Sequence, residues 1–271
     1  MSTWQSVAAK RVGDLFNVYI VRKGRAGPML EQDLLETILR RFAIDCVFDV
    51  GANEGQYAQM LRRVGYRGNI ISFEPIPKLA AQLRRAAARE SNWFVEELAL
   101  DEHVRDVNFN VMLNDKFSSL AAPSQAATDL FADANVVSET IAVKTARLED
   151  VMARYASKLS FSRPFLKMDT QGNDLAVARG AGSSLKRFVA LQSELSIKPL
   201  YDRQASYRES IDFYEAEGFV LTGFVPNNAG HFPEMVEIDC IMYNPAVVGP
   251  LPQPESMFKQ PKKSVSIYLT K

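Results

Sequence analysis

The sequence predicts an α/β fold, a mostly parallel sheet with helices packed on both faces. Two observations predict it. Short apolar runs bounded by glycine or proline alternate along the chain with segments of helical period. The first of these runs also ends in a glycine-containing turn that opens directly into a helix, and in open α/β sheets ligands bind just beyond the carboxyl ends of the strands. With 271 residues, 47% of them hydrophobic, the chain has ample material for a large core.

Residues 1–42 read as a helical extension, in which Leu34, Leu35, Ile38, Leu39 and Phe42 fall on one helical face. Cys46–Val50 is a short apolar run of the kind a buried parallel strand requires, and a helix follows from Gln56 to Val64, closed by Gly65. Asn69–Pro75 is a second strand stopped by proline, and Leu79–Ala88 is rich in alanine and arginine and strongly helix-forming. Trp93–Leu100 reads as a third strand and Val107–Leu113 as an alternating edge strand. The stretch 114–139 is rich in Ser, Ala and Asp without a period, and is expected to be a mobile insertion. Thr140–Val143 is a strand, Leu148–Tyr155 a helix, Phe165–Asp169 a fourth core strand, Val177–Arg187 a helix and Phe188–Leu195 a fifth strand. Ser206 and Glu209 have capping-box spacing for a helix that runs to Glu217. Phe219–Phe224 and Val236–Tyr243 complete the sheet. The expected organisation is therefore an extension over 1–42, an α/β domain over 43–245 and a tail over 246–271.

Lys+Arg and Asp+Glu both number 32, so the formal net charge is zero. That balance argues against a broad nucleic-acid-binding face and for a small-molecule or glycan partner. Cys46 and Cys240 each sit inside an apolar strand, as reduced, buried thiols do. The first sixteen residues lack a signal-peptide core, and no run approaches the ~20 apolar residues that span a bilayer. A cytoplasmic protein without stable membrane insertion is expected, and a homo-oligomer is left open.

The most informative segment is Asp49-Val50-Gly51-Ala52-Asn53-Glu54-Gly55, followed 25 positions after Asp49 by Glu74 at the end of the second strand. Gly51 and Gly55 permit a tight turn and close approach of a ligand. An acid at the Glu74 position can bridge two ribose hydroxyls. A dinucleotide, a mononucleotide and S-adenosylmethionine all use such a Rossmann-like site. The loop lacks the G-x-G-x-x-G spacing that wraps a pyrophosphate. The negative charge of Asp49 is also expected to repel a diphosphate and to suit a cationic sulfonium and ammonium. Both points favour S-adenosylmethionine.

Together with Phe117-Ser118-Ser119-Leu120, Leu166-Lys167-Met168-Asp169-Thr170-Gln171-Gly172-Asn173-Asp174 and Gln192-Ser193-Glu194-Leu195, these segments resemble the FkbM-type S-adenosylmethionine-dependent methyltransferases. The likeness runs from Val47 to Tyr243. It implies a Rossmann-like seven-stranded methyltransferase fold and methyl transfer to oxygen, often of a sugar. It implies further that Asp49, Gly51, Ala52, Asn53, Gly55 and Tyr57 surround the methionine half of the cofactor and that Glu74 holds the ribose. Pro75, Ile76, Leu98 and Ala99 would border the adenine. Asp174 departs from the family, which more often carries glutamate there.

The catalytic candidates are Asp169 and Glu194, each near the end of a core strand, with Lys167 and His231. Asp169 would contact the cofactor or orient the acceptor hydroxyl, and Glu194 is a candidate general base. Lys167 is either the centre of an ion-pair network with Asp169 or Glu194, or a cation that stabilises a developing alkoxide. His231 lies in a loop between the last two strands, whereas His103 sits in an exposed turn. Asp169, Asp174 and Glu194 are oxygen donors, but their spacing is not diagnostic of a metal and none is assigned. The expected function is O-methylation of a sugar hydroxyl. The alternatives are methylation of a polyketide or phenol, and a catalytically silent cofactor-binding module.

Overall fold

A computed structural model describes residues 26–124, 136–226 and 233–250. The expectations for residues 1–25, for 125–135 of the insertion, for His231 and for the tail from 251 lie outside the described residues.

The first helix, α1 (Ala26–Arg41), leads into β1 (Cys46–Val50), α2 (Gln56–Arg63), β2 (Asn69–Phe73), α3 (Pro77–Ala87) and β3 (Trp93–Glu96). Next come β4 (Ala99–Leu100), β5 (Asp106–Met112), β6 (Val137–Ala146), α4 (Leu148–Ala156), β7 (Pro164–Met168) and α5 (Asp174–Gly180). The chain continues with β8 (Ala190–Ser196), α6 (Tyr207–Ala216), β9 (Val220–Pro226), β10 (Glu237–Tyr243) and a short α7 (Pro245–Val248).

The central sheet has seven strands in the order β3-β2-β1-β7-β8-β10-β9. Its pairs are parallel except those of β10, which runs antiparallel to both neighbours. Strands β1 and β7 are buried along their whole length, which explains their near-continuous apolar sequence. One face of the sheet packs on α4, α5 and α6 through Val151, Met152, Val177 and Tyr214. The other packs on α1, α2 and α3 through Leu35, Ile38, Ala58, Leu61 and Leu83. Helix α1 therefore shares the core of the sheet. The capping box forms as its spacing requires: Ser206 Oγ accepts from the Glu209 N–H, and the Glu209 carboxylate accepts from the Ser206 N–H. Cys46 and Cys240 are free and buried.

Two elements differ from expectation. The stretch 93–100 is not one strand. The chain leaves the main sheet after Glu96, the exposed Glu97 pairs with Arg84, and Ala99–Leu100 join β6 in a separate three-stranded sheet ordered β4-β6-β5. The stretch 114–139 is also less irregular than expected, because Val137–Glu139 extend β6 along β5. That end of β6 is exposed on both faces, so no buried side chains impose a visible alternation on its sequence. Smaller shifts place Glu194 within β8, and Asp169 just past β7.

Candidate active site

The strand order reverses between β1 and β7, and the carboxyl ends of these strands open on a cavity of about 600 Å³. Beneath its floor lies a row of polar groups set by strand register. Asp49 faces Ser72 on one side and Lys167 on the other. Trp93 Nε1 donates to Ser72 Oγ, Ser72 Oγ donates to Asp49 Oδ2, and Lys167 Nζ lies 3.3 Å from Asp49 Oδ1. Lys167 also reaches the Gly51 carbonyl at 3.1 Å and Asp169 at 3.6 Å, and sits over the Tyr57 ring. Burial works against its charge, but Asp169 and Asp49 outweigh that cost and raise its pKa. Three N–H donors surrounded by this many acceptors leave none for an alkoxide. The geometry thus favours the ion-pair reading of Lys167, with Asp49 rather than Glu194 as its second carboxylate.

Asp49 is fully buried and does not line the cavity. The expectation that its charge meets the ligand is therefore corrected, because Lys167 neutralises it below the floor. The loop itself explains why a diphosphate is a poor guest. The Gly51 and Ala52 N–H groups both donate to the Phe73 carbonyl, Asn53 N–H donates to Glu74, Glu54 N–H to the Asn53 side chain, and Gly55 N–H to the Ala52 carbonyl. No N–H between Gly51 and Gly55 remains to cradle phosphate oxygens. Gly55 also stands away from the cavity, packed on Leu83 and Trp93.

Glu74 holds the next wall. One carboxylate oxygen accepts from Asn53 N–H at 2.8 Å and the other from Ile76 N–H at 2.9 Å. These bonds fix the carboxylate and leave lone pairs facing the cavity. Around it stand Pro75, Ile76, Leu98, Ala99, Phe109 and Leu120, an apolar slot. The described front of the insertion closes this side, since Ser119 Oγ donates to the Gln171 carbonyl at 2.6 Å.

The opposite wall is acidic. Gln171 Nε2 donates to Asp169 Oδ1 at 3.1 Å and to Glu194 Oε2 at 2.8 Å, holding two carboxylates on one clamp. The Tyr201 hydroxyl lies 2.9 Å from Gln171 Oε1 and fixes the amide. Asp239 sits directly across from Glu194 in the β8–β10 register, and Glu237 two residues earlier lines the same wall. Burial, then Asp169, Glu237 and Asp239, push the Glu194 pKa well up. Asp174 works elsewhere: it accepts from Thr170 N–H and Oγ1, from Ser193 Oγ and from Glu194 N–H. That carboxylate ties the β7 loop to β8. Among the described residues no group of three His, Cys, Asp or Glu is placed to hold a metal ion.

The cavity thus gathers Gly51, Ala52, Asn53, Tyr57, Glu74, Pro75, Ile76, Leu98, Ala99, Lys167, Asp169 and Glu194 from the candidates named in the sequence. Gln171 was visible in a motif but given no role. Gln192, also in a motif without a role, bridges the Tyr57 hydroxyl and Glu31 of α1, and Glu31, Glu237 and Asp239 were missed. Period-two placement of acids on the last strand was the one signal that pointed to Glu237 and Asp239.

The raised carboxyls set a pH dependence. Burial lifts Glu74 from 4.5 to about 7 against its two N–H bonds, and burial with Asp169 and Asp174 lifts Glu237 to about 7. Each holds a proton in the fold at a pH where the unfolded chain has lost it. The stability from this source is full below about pH 4.5 and is lost as pH rises through about 7, up to about 3 kcal/mol for Glu74. Thermal melts of the unliganded protein should give a Tm that climbs as pH is lowered from about 8 to about 5.5; a Tm that falls over this range would show these carboxyls to be ordinary.

The Methyltransferase FkbM domain model matches residues 49–221. The chain belongs to this family. FkbM methyltransferases use S-adenosylmethionine, and the cavity fits it: a fixed carboxylate suits a ribose diol, an apolar slot suits adenine, and the half-exposed Asp169 carboxylate suits the ammonium of the methionine half. Among known proteins, the chain is 23% identical over 203 residues to the 2-O-methyltransferase NoeI of Sinorhizobium fredii, covering 73% of this chain and 79% of that one. An O-methyltransferase from Bacillus cereus in complex with S-adenosylhomocysteine matches with a TM-score of 0.47 and 11% identity, over 90% of this chain and 92% of that one. Fibrillarin from Aeropyrum pernix with bound S-adenosylmethionine matches with a TM-score of 0.43 and 12% identity, over 79% and 74%. Among the described residues no helix is long and apolar enough to cross a membrane.

Proposed function

We propose that this FkbM methyltransferase methylates a hydroxyl oxygen of a sugar on a glycolipid, polysaccharide or glycosylated metabolite. The observation that carries the reading is the Gln171 clamp, which holds Asp169 and Glu194 side by side across the cavity from Glu74. The likeness to NoeI, by name a 2-O-methyltransferase, supports oxygen as the acceptor atom.

When bound, S-adenosylmethionine supplies a methyl group on a positive sulfur that departs as a neutral thioether. Glu74 would accept both ribose hydroxyls, and Ile76 and Leu98 would border the adenine. Asp169, with its side chain 43% exposed, is the carboxylate that meets the ammonium of the methionine half, a role Asp49 is too deeply buried to fill. Glu194 would take the proton of the acceptor hydroxyl, leaving its oxygen free to attack. Much of the acceleration comes from aligning the two reactants, and the base adds to it. Lys167 holds the ends of β1 and β7 at fixed separation.

Calorimetry and radiolabelled methyl transfer test this. S-Adenosylhomocysteine should bind at micromolar concentration and NADH should not. Glu74→Ala should weaken the first by more than tenfold. Label should reach the oxygen of a saccharide or glycolipid acceptor; label appearing only on phenols or polyketides would reject the sugar.

A further inference from the structure

The part of the cavity farthest from the glycine loop carries a charge that oxygen methylation alone does not require. Among the described residues, seven carboxylates line the cavity against three cations, Arg63, Lys116 and Lys167. Strands β8 and β10 lie two and three steps from β1, so at ~4.8 Å per step the carboxylates of β10 stand roughly 14 Å from the loop after β1. That is beyond the methionine half of a cofactor seated on the loop, and in the space left for the acceptor.

Like charges placed directly across a strand pair destabilise a sheet, yet Glu194 and Asp239 occupy one such pair. Lys167, the cation whose field reaches Asp239, is already committed to Asp49 and Asp169. Glu237 is an independent sign of a missing partner. It exposes only 7% of its surface, lines the cavity, and its Oε1 has no hydrogen-bond partner among the described residues. A buried carboxylate oxygen left unpaired is costly, and native structures rarely keep one without use.

We infer that the acceptor carries a protonated amino group beside the hydroxyl that is methylated, and that Glu194, Asp239 and Glu237 clasp that ammonium. This rests on the methyltransferase reading of the same cavity. An ammonium offers N–H donors in several directions and one positive charge, which matches a cluster of acceptors that repel one another. It also answers two chemical needs. A free amine is a better nucleophile than a hydroxyl, and holding it protonated removes its lone pair and directs the methyl group to oxygen. Burial and acidic neighbours disfavour the ionised form of Glu194, and a cation held beside it offsets that and favours the carboxylate that can accept a proton.

Among the described residues, the charged groups around this point are Glu31 from α1, Lys167 and Asp169 from the β7 end, Asp174 from α5, and the three clasping acids. Lys167 is the positive one of these, so binding of a cation should expel protons.

The test is calorimetry on the full chain loaded with S-adenosylhomocysteine, using a glucosamine tetramer, its fully N-acetylated twin and maltotetraose. The glucosamine tetramer should bind at least tenfold more tightly than either neutral saccharide, with a heat that varies with the ionisation enthalpy of the buffer. Glu237→Gln and Asp239→Asn should each remove tenfold or more of that preference while leaving S-adenosylhomocysteine affinity unchanged. Equal or tighter binding of the neutral saccharides, absence of measurable binding by the amine, or binding that appears only with added Mg²⁺ and disappears with a chelator would overturn the inference and leave the cofactor reading intact. Failure of S-adenosylhomocysteine itself to bind would overturn both.

Discussion

Gly51→Ala is expected to abolish S-adenosylhomocysteine binding, with a loss beyond a hundredfold, and to lower stability as well. Gly51 has φ +74°, a region that side-chain-bearing residues enter at a cost of about 1–2 kcal/mol. The larger effect is steric. A Cβ there would lie 1.9 Å from the Asp169 carbonyl oxygen, which is backbone and has no rotamer by which to withdraw. The carbonyl is pinned further because Asp169 N–H donates to the Val50 carbonyl at 3.1 Å. One of the two loops must move. If the β1 loop lifts, the Gly51 and Ala52 N–H groups leave the Phe73 carbonyl, and Asn53 N–H leaves Glu74. If the β7 loop moves, Asp169 and its clamp are displaced. Either way the cofactor site is broken at two walls. Calorimetry and a thermal melt check this together. A variant that folds and binds within threefold of the parent would show that the two loops do not meet as described. Gly65 is also at positive φ, but a Cβ there would meet nothing within 4 Å, so alanine should leave binding untouched and cost only backbone strain.

What the sequence disclosed, and what it hid, follows from how far each interaction reaches along the chain. The elements that hold Gly51, Glu74 and Asp169 were legible because each is local: an apolar strand, a turn and the residue just after it. The cofactor was legible too, although Asp49 was credited for the wrong reason. A carboxylate at the end of β1 reads the same whether it faces a ligand or a lysine, and only the β1–β7 register puts Lys167 beside it. That register joins residues more than a hundred positions apart, and no spacing rule announces it. The same holds for the acidic wall. Glu194 stood out as an acid in an apolar run, but its opposition to Asp239 depends on β10 entering between β8 and β9 in the reverse direction. Glu31 was hidden for a different reason, since an acid near the start of a helix is ordinary and only the packing of α1 brings it to Gln192. The break within 93–100 was hidden by composition, because both halves are apolar and Glu97 marks the departure only once its partner Arg84 is known.

Glu194→Gln separates chemistry from binding, and is expected to lower kcat by ~10²–10⁴-fold, the usual contribution of a positioned base. The substitution preserves volume and keeps an oxygen that accepts from Gln171 Nε2, so the clamp on Asp169 survives. Burial and acidic neighbours already disfavour a charge at this position and glutamine carries none, so the variant should melt at the same temperature or higher. What it removes is the ability to take a proton. S-Adenosylhomocysteine affinity should therefore stay within twofold of the parent, because Glu74 and the β1 loop are untouched. Asp169→Asn should behave in the opposite way, raising the KM for S-adenosylmethionine more than it lowers kcat, if Asp169 holds the ammonium of the methionine half as proposed. The pH profile provides the decisive reading. In the parent, kcat should rise with pH as Glu194 ionises, and in Glu194→Gln that limb should disappear. A variant that retained both its rate and its pH dependence would move the proton to another acceptor, for which Asp169, held on the same Gln171 amide, and Asp239, across the strand pair, are the candidates.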